Sequence, residues 1–238
     1  TDVEEWSYLA VGCSAAEVKT LLGRTPTARH HLYPKWLEAK ALRDELERVQ
    51  RTNPQPIVKE AAPYTILRSI NEQLTFLSNL PEGVALDLEW IKDDGTLIGI
   101  NASDKDTNWY LPVLAQGFSQ VEYAPALLTV LTQKVRSQPT IWHQFKADSK
   151  LLADDPVTLF GSPAHDTILM AYVAGYQELG LKELTTKVLG RQVTSLPDKL
   201  EQQPMELAAR YGAAGDSRNT YDLYIRLKAE LEATEQWV

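Results

Sequence analysis

The spacing of apolar positions along this chain changes character once, near residue 60. Before that point it is helical. Ser14-Ala15-Ala16-Glu17 has the spacing of a capping box, Val18, Leu21 and Leu22 form the apolar stripe behind it, and Gly23 and Pro26 end the helix. From Pro34 to Gln50, Leu37, Ala41, Leu42, Leu46 and Val49 recur at roughly helical spacing with charges between them. The stretch Arg51–Pro63 carries three prolines and no period, which marks a linker. The pattern therefore predicts an N-terminal helical extension and linker over residues 1–62 and a second domain over 63–238.

In that second domain strands come first. Tyr64–Leu67 is a short strand, Ser69–Leu80 an amphipathic helix, and Gly83-Val84-Ala85-Leu86 an apolar strand entering Asp87. Thr96–Ile100 and Asn108–Val113 are expected as its antiparallel partners, with Asp93-Asp94-Gly95 and Ser103–Thr107 as turns. Leu127, Leu128, Leu131 and Val135 share one helix face, Thr140-Ile141-Trp142 is another strand, and beyond residue 145 the pattern is mostly helical. Strands followed by alternating helices imply an α/β layer fold around a mixed sheet.

Composition narrows the setting. Apolar residues make up 44% and charged residues 24% of 238, the balance of a globular protein. No apolar run approaches the ~18–20 residues that span a bilayer, and no secretory h-region precedes a small-residue cleavage site, so neither membrane spanning nor export is expected. Cys13 is the single cysteine, and His30, His31, His143 and His165 are the only histidines, so a cysteine-ligated zinc site is excluded and a reducing intracellular setting is expected, whether cytoplasm, nucleoid or organelle. A net charge of −8 argues against broad polyanion binding, yet a local basic strip beside a carboxylate pocket remains compatible with it. The first residue is Thr rather than Met, as expected of a fragment or a processed chain.

Three segments carry candidate chemistry. In Val84-Ala85-Leu86-Asp87-Leu88-Glu89-Trp90, strand alternation puts Asp87 and Glu89 on one face, roughly 7 Å apart, where they repel unless a cation lies between them. Hard ions such as Mg²⁺ or Mn²⁺ take all-oxygen sites of this kind. In Trp142-His143-Gln144-Phe145-Lys146-Ala147-Asp148, a strand ends and a helix begins, with Asp148 in its first turn. In Tyr211-Gly212-Ala213-Ala214-Gly215-Asp216, small residues line the approach to one carboxylate. Taken singly, each has a plain structural explanation: solvated acids at a strand end, an acid favoured by a helix N-terminus, a close-packed helix with a surface acid. Asp166 reads most simply as a helix N-cap.

Taken in order, these segments resemble the 3′–5′ exonuclease (proofreading) domain of family A, DNA polymerase I-type DNA polymerases, within the DnaQ-like ribonuclease H superfamily. That family carries D-x-E, then H-N-x-K-[FY]-D, then Y-x-x-x-D. Leu97-Ile98-Gly99-Ile100, Trp109-Tyr110-Leu111-Pro112-Val113, His165-Asp166-Thr167-Ile168-Leu169-Met170-Ala171-Tyr172 and Gly180-Leu181-Lys182-Glu183-Leu184 with Leu189-Gly190 match its spacer phrases. The likeness covers about residues 63–231. Gln144 stands where the family has Asn, Ala147 replaces its aromatic, and Trp90 is shared with Werner-type exonucleases. Tyr211 lies one residue further from Asp216 than the pattern asks. On a regular α-helix that step rotates Tyr211 by ~100°, and a π-bulge or a break near Gly212 or Gly215 would absorb it.

The resemblance implies a ribonuclease H-like mixed five-stranded sheet, its first three strands antiparallel, flanked by helices. It implies an enzyme that releases nucleoside monophosphates from DNA 3′ ends with two divalent cations, Mg²⁺ or Mn²⁺. Asp87 would bridge both ions, Glu89 and Asp216 complete one site, Asp148 bind the other largely through water, and Tyr211 orient the attacking water. Trp90, His143, Gln144, Phe145 and Lys146 are candidate substrate contacts, and Lys146, Lys150, Lys182 and Lys187 a candidate basic strip. The expected substrate is single-stranded or frayed DNA, and the expected partner a C-terminal polymerase module in the full-length protein. This polypeptide alone is expected to degrade DNA and not to synthesise it. Two alternatives stand: a stand-alone ribonuclease D or Werner-type 3′ exonuclease, and a degenerate exonuclease fold that only holds nucleic acid. The retention of all four carboxylates weighs against the second.

Overall fold

The computed structural model describes residues 3–28, 30–52, 63–153, 156–159, 161–193, 195–234 and 236–237. It divides into two compact units, Thr1–Gln55 and Pro56–Val238. Of the linker expected over 51–63, Arg51 and Thr52 instead continue the third helix, and 53–62 lie outside the described residues.

The first unit holds helices α1 (Val3–Ala10), α2 (Ala15–Leu21) and α3 (Tyr33–Thr52) around Tyr8, Cys13, Val18, Leu21, Leu32 and Ala39. The capping box forms as the sequence suggests: Ser14 accepts from the Glu17 backbone, and the Glu17 side chain accepts from the Ser14 N–H. Lys35 closes the turn from outside, donating to the Gly12 carbonyl at 3.0 Å and pairing with Glu17 at 3.2 Å.

The second unit is an α/β fold on a six-stranded sheet. Strands β1 (Tyr64–Ile66), β2 (Val84–Trp90), β3 (Leu97–Ser103) and β4 (Asn108–Pro112) are joined by β7 (Thr140–Trp142) and β8 (Ala164–Asp166), in the order β1-β4-β3-β2-β7-β8. β2, β3 and β4 run antiparallel, while β1–β4, β2–β7 and β7–β8 are parallel. A small hairpin of β5 (Leu114–Ala115) and β6 (Phe118–Ser119) follows β4. The expected count of five strands is thus corrected to six. Ala164–Asp166 reads in the sequence only as the approach to an N-cap, because three residues are too few to show a period. Asp166 does both: it ends β8 and caps the next helix through the Ile168 N–H at 3.1 Å.

Alternation along the central strands gives the sheet two different faces. Leu86, Leu88, Ile100, Ala102 and Leu111 point to one, where α4 (Ile70–Ser78) and α5 (Ala124–Ser137) bring Leu77, Leu127, Leu131 and Val135 into a continuous apolar core. Asp87, Glu89, Asn101 and Tyr110 point to the other. That face is covered by α9 (Met205–Tyr211) and a π-helical segment, Gly212–Ser217, which lies across β2, β3 and β4. The remaining helices α6 (Phe145–Leu152), α7 (Thr167–Val173), α8 (Leu181–Leu189) and α10 (Arg218–Ala233) complete the unit; Met170, Ala171, Leu184, Leu223, Leu227 and Leu231 form a second core among α7, α8 and α10. Among the described residues no helix is long and apolar enough to cross a membrane.

Candidate active site

Four carboxylates from three distant segments meet at the open end of β2. Asp87 and Glu89 come from the strand itself. β7 pairs with β2 only at Val84 and Ala85, so beyond Ala85 the β2 edge is free on that side. Asp148 uses the freed edge: from the first turn of α6, buried at 6% exposure, its carboxylate accepts from the Leu88 backbone N–H. Asp216 arrives from the opposite side on the π-helical segment.

The sequence explains why α6 begins where it does. Its N-cap, Gln144, sits in the left-handed region at φ 64°, costly for a residue with a Cβ. Asp166 holds this turn in place, accepting from the Gln144 N–H at 2.8 Å and the Phe145 N–H at 2.9 Å. One carboxylate therefore ties together the end of β8, the start of α7 and the start of the helix that delivers Asp148.

The π-helical segment resolves the spacing anomaly. In a π-turn the ladder runs from i to i+5, which brings residues five apart to one side. Tyr211 and Asp216 are five apart, and the Tyr211 hydroxyl donates to the Asp216 carboxylate. The displaced backbone is supported by hydroxyls: those of Ser103 and Ser217 hydrogen-bond each other at 2.7 Å and each lies 3.1 Å from the Ala213 carbonyl, so that one donates to its neighbour and the other to the carbonyl. Gly212 lets the segment lie this low. A Cβ there would overlap the side-chain amide of Asn101, which donates to Asp87 at 3.0 Å.

The electrostatics follow from burial and crowding. Desolvation is the leading cause for all four groups, and it raises each above its ordinary range. Asp148 is pushed up to about 8, with the Asp87 charge adding to burial. Asp216 rises to about 7, held back by the Tyr211 hydrogen bond and by Lys182. Glu89 is raised well above its ordinary range, by burial and then by Asp87 and Asp216, and its carboxyl hydrogen-bonds to that of Asp87. Burial likewise lifts the Tyr211 hydroxyl far above its usual range, so it stays protonated at neutral pH. Lys182 stacks over the Tyr211 ring at 5.7 Å and belongs to the site; Lys187 faces Glu178 instead. Among the described residues, none of the four carboxylates forms an ion pair.

A divalent cation suits this donor set. The oxygens are all carboxylate, the groups are raised first by desolvation and then by one another's charge, and a hard cation would remove the repulsion. Among the described residues, no three acidic, histidine or cysteine side chains stand as a ready-made metal cage.

The remaining candidates are spread more widely. Gln144 and Lys146 are exposed at the start of α6. Phe145 stacks on Trp142 at 5.1 Å, and it and Trp90 pack against the apolar core, each half-buried. The His143 ring turns inward, with Nδ1 2.8 Å from the Thr167 hydroxyl and a bond to the Leu179 backbone; burial lowers its pKa. Sequence reasoning did not single out Asn101 or Tyr110 on the acidic face, nor the backbone-holding role of Asp166. A buried Asn in the otherwise apolar Leu97-Ile98-Gly99-Ile100-Asn101-Ala102 is the one signal that was legible.

Comparison with known proteins bears on the fold and on the family. Nothing among curated proteins matches the chain. Solved structures share its fold at low identity. The EXO domain of Aedes aegypti Nibbler is 15% identical, TM-score 0.58, over 75% of this chain and 95% of that one. Escherichia coli RNase D, an exoribonuclease involved in structured RNA processing, is 19% identical, TM-score 0.54, over 73% of this chain and 46% of that one. The catalytic core of Trypanosoma brucei RRP6 is 14% identical, TM-score 0.54, over 80% and 53%. The chain thus spans about half the length of these last two. The model of a 3′–5′ exonuclease family matches residues 62–232, a span that contains all four carboxylates, Tyr211 and the whole sheet. With well over half of its length matched, this chain belongs to the 3′–5′ exonuclease family.

Proposed function

We propose that the protein hydrolyses the terminal phosphodiester of single-stranded or frayed DNA from the 3′ end, with Asp87, Glu89, Asp148 and Asp216 as the carboxylates that hold two divalent cations, Mg²⁺ or Mn²⁺. The observation that carries this reading is the meeting of four carboxylates, Asp148 buried and Asp87, Glu89 and Asp216 half-buried, drawn from three remote segments, with no ion-paired cation among them in the described residues. Bound cations would supply an activated water and cover the charge growing on the leaving 3′ oxygen.

The chain's own residues do the rest. Tyr211, kept protonated by burial, is no general base; its hydroxyl holds the water in line while it leans on Asp216. Lys182, over the Tyr211 ring, offers a positive charge beside the scissile phosphate. Asn101 and the Leu88 N–H fix the orientations of Asp87 and Asp148. The exposed Lys146 and Lys150 on α6 and the exposed parts of the half-buried Trp90 and Phe145 would receive the backbone and terminal bases. A polymerase module is the partner this reading assigns.

A second reading replaces DNA with RNA. Trp90 after the D-x-E pair favours it, as do the ribonucleases among the structures that share this fold. Digestion of 3′-labelled single strands in Mn²⁺ separates the two: release of deoxynucleoside monophosphates faster than ribonucleoside monophosphates supports DNA, the reverse order supports RNA, and cleavage of neither overturns both.

A further inference from the structure

The row of residues beside the carboxylates holds an unsatisfied hydroxyl. Across the antiparallel strands Asp87 is opposite Asn101, and Asn101 is opposite Tyr110, so the three stand in line on the acidic face. Glu89 is opposite Gly99. The Tyr110 side chain is fully buried, and its hydroxyl has no hydrogen-bond partner. Its ring does not stay over its own strand. It crosses diagonally onto Gly99: a Cβ at Gly99 would overlap the ring and lie 2.9 Å from the hydroxyl oxygen.

That position places the hydroxyl where the side chain opposite Glu89 would be. Opposed Cβ positions in an antiparallel pair are about 4.5–5.5 Å apart, which is within the reach of one glutamate side chain. The negative charge of Glu89 is also felt at the hydroxyl. A purely apolar role would be met by phenylalanine, and a buried hydroxyl without a partner is costly. Gly99 is thus the residue that admits the ring, and the hydroxyl is the atom that needs a partner.

We propose that Tyr110 is a positioning residue for Glu89, its hydroxyl donating to the Glu89 carboxylate when that group turns from Asp87 toward the cation site. Asn101 and Tyr110 then act as a pair of neutral donors behind the acidic cluster, one for each carboxylate of β2. The inference rests on the nuclease reading above and deepens it.

The test is Tyr110→Phe in the whole chain, with Trp109→Phe, on the other face of the same strand, as the packing control. Mn²⁺ affinity is measured by titration calorimetry, melting temperature in EDTA, and kcat and KM on a 3′-labelled single strand. The expected result for Tyr110→Phe is a Mn²⁺ affinity lower by roughly 10–100-fold, with kcat reduced and KM and the EDTA melting temperature unchanged or the latter raised. Trp109→Phe should move the melting temperature and leave Mn²⁺ affinity alone. If wild type binds Mn²⁺ and digests the strand while Tyr110→Phe matches it in both affinity and kcat, the inference about Tyr110 is overturned and the nuclease reading stands. If wild type does neither, the nuclease reading fails and takes this inference with it.

Discussion

The two faces of β2, β3 and β4 share one backbone and one hydrogen-bond ladder, yet they meet opposite demands. On the α4–α5 side, Leu86, Leu88, Ile100 and Leu111 are buried among other apolar side chains. On the π-helical side, the alternate positions hold Asp87, Glu89, Asn101 and Tyr110, with raised carboxylates, two polar atoms that lack partners, and glycines at both points of closest approach. The first face stabilises the fold. The second costs stability, and a sequence keeps such a face for chemistry.

The largest difference between the faces should appear on truncation. Asp87→Ala with Glu89→Ala should cut 3′-end digestion by on the order of 10³-fold or more, while the metal-free protein melts no lower than wild type, because repelling charges are gone. Leu86→Ala, one residue away on the other face, should do the reverse: about 2–5 kcal/mol lost in chemical denaturation, with kcat per folded molecule intact. Equal behaviour of the two variants would abolish the distinction.

Next in size is the close approach of the π-helical segment. Gly212→Ala forces a Cβ onto Asn101 and should lift Gly212–Ser217 off the sheet, costing about 1–3 kcal/mol and most of the activity together. Wild-type melting and digestion would mean the segment is not held by that contact.

Smaller again is the pH dependence of the metal-free protein. Burial raises Asp148 to about 8 and Asp216 to about 7, so the folded state holds protons that the unfolded chain has already released. Stability in EDTA should therefore fall as pH rises from the ordinary aspartate range to about 8, and saturating Mg²⁺ should flatten that fall. Melting curves at pH 5, 6.5 and 8 read both slopes. The smallest effect expected is that of Asn101→Ala, which removes one donor to Asp87 and should weaken Mn²⁺ binding by about 10-fold, measured by calorimetry.

The sequence made some of this visible and hid the rest for physical reasons. The D-x-E strand, the helix start at Asp148 and the small residues before Asp216 are local patterns, and they could be read in order. The one-residue excess between Tyr211 and Asp216 was itself informative, since a π-helical segment spans it. Asn101, Tyr110 and Gly99 were not legible as a set, because their relation depends on cross-strand register, which no single segment encodes. β8 was missed because three residues carry no periodicity, and the bonds from Asp166 to Gln144 and Phe145 join residues 21 and 22 positions apart. Trp90, His143 and Phe145 were singled out by motif position, while the structure turns much of each toward the interior.

The most direct measurement is digestion of a 3′-labelled single strand in Mn²⁺ by Asp216→Asn, a change that keeps shape and removes one negative charge at the residue furthest in sequence from β2. Digestion should fall to background while the EDTA melting temperature at pH 8 stays level or rises. Undiminished digestion by Asp216→Asn would show that the π-helical segment brings no working carboxylate to the site, and the four-carboxylate centre would be wrong.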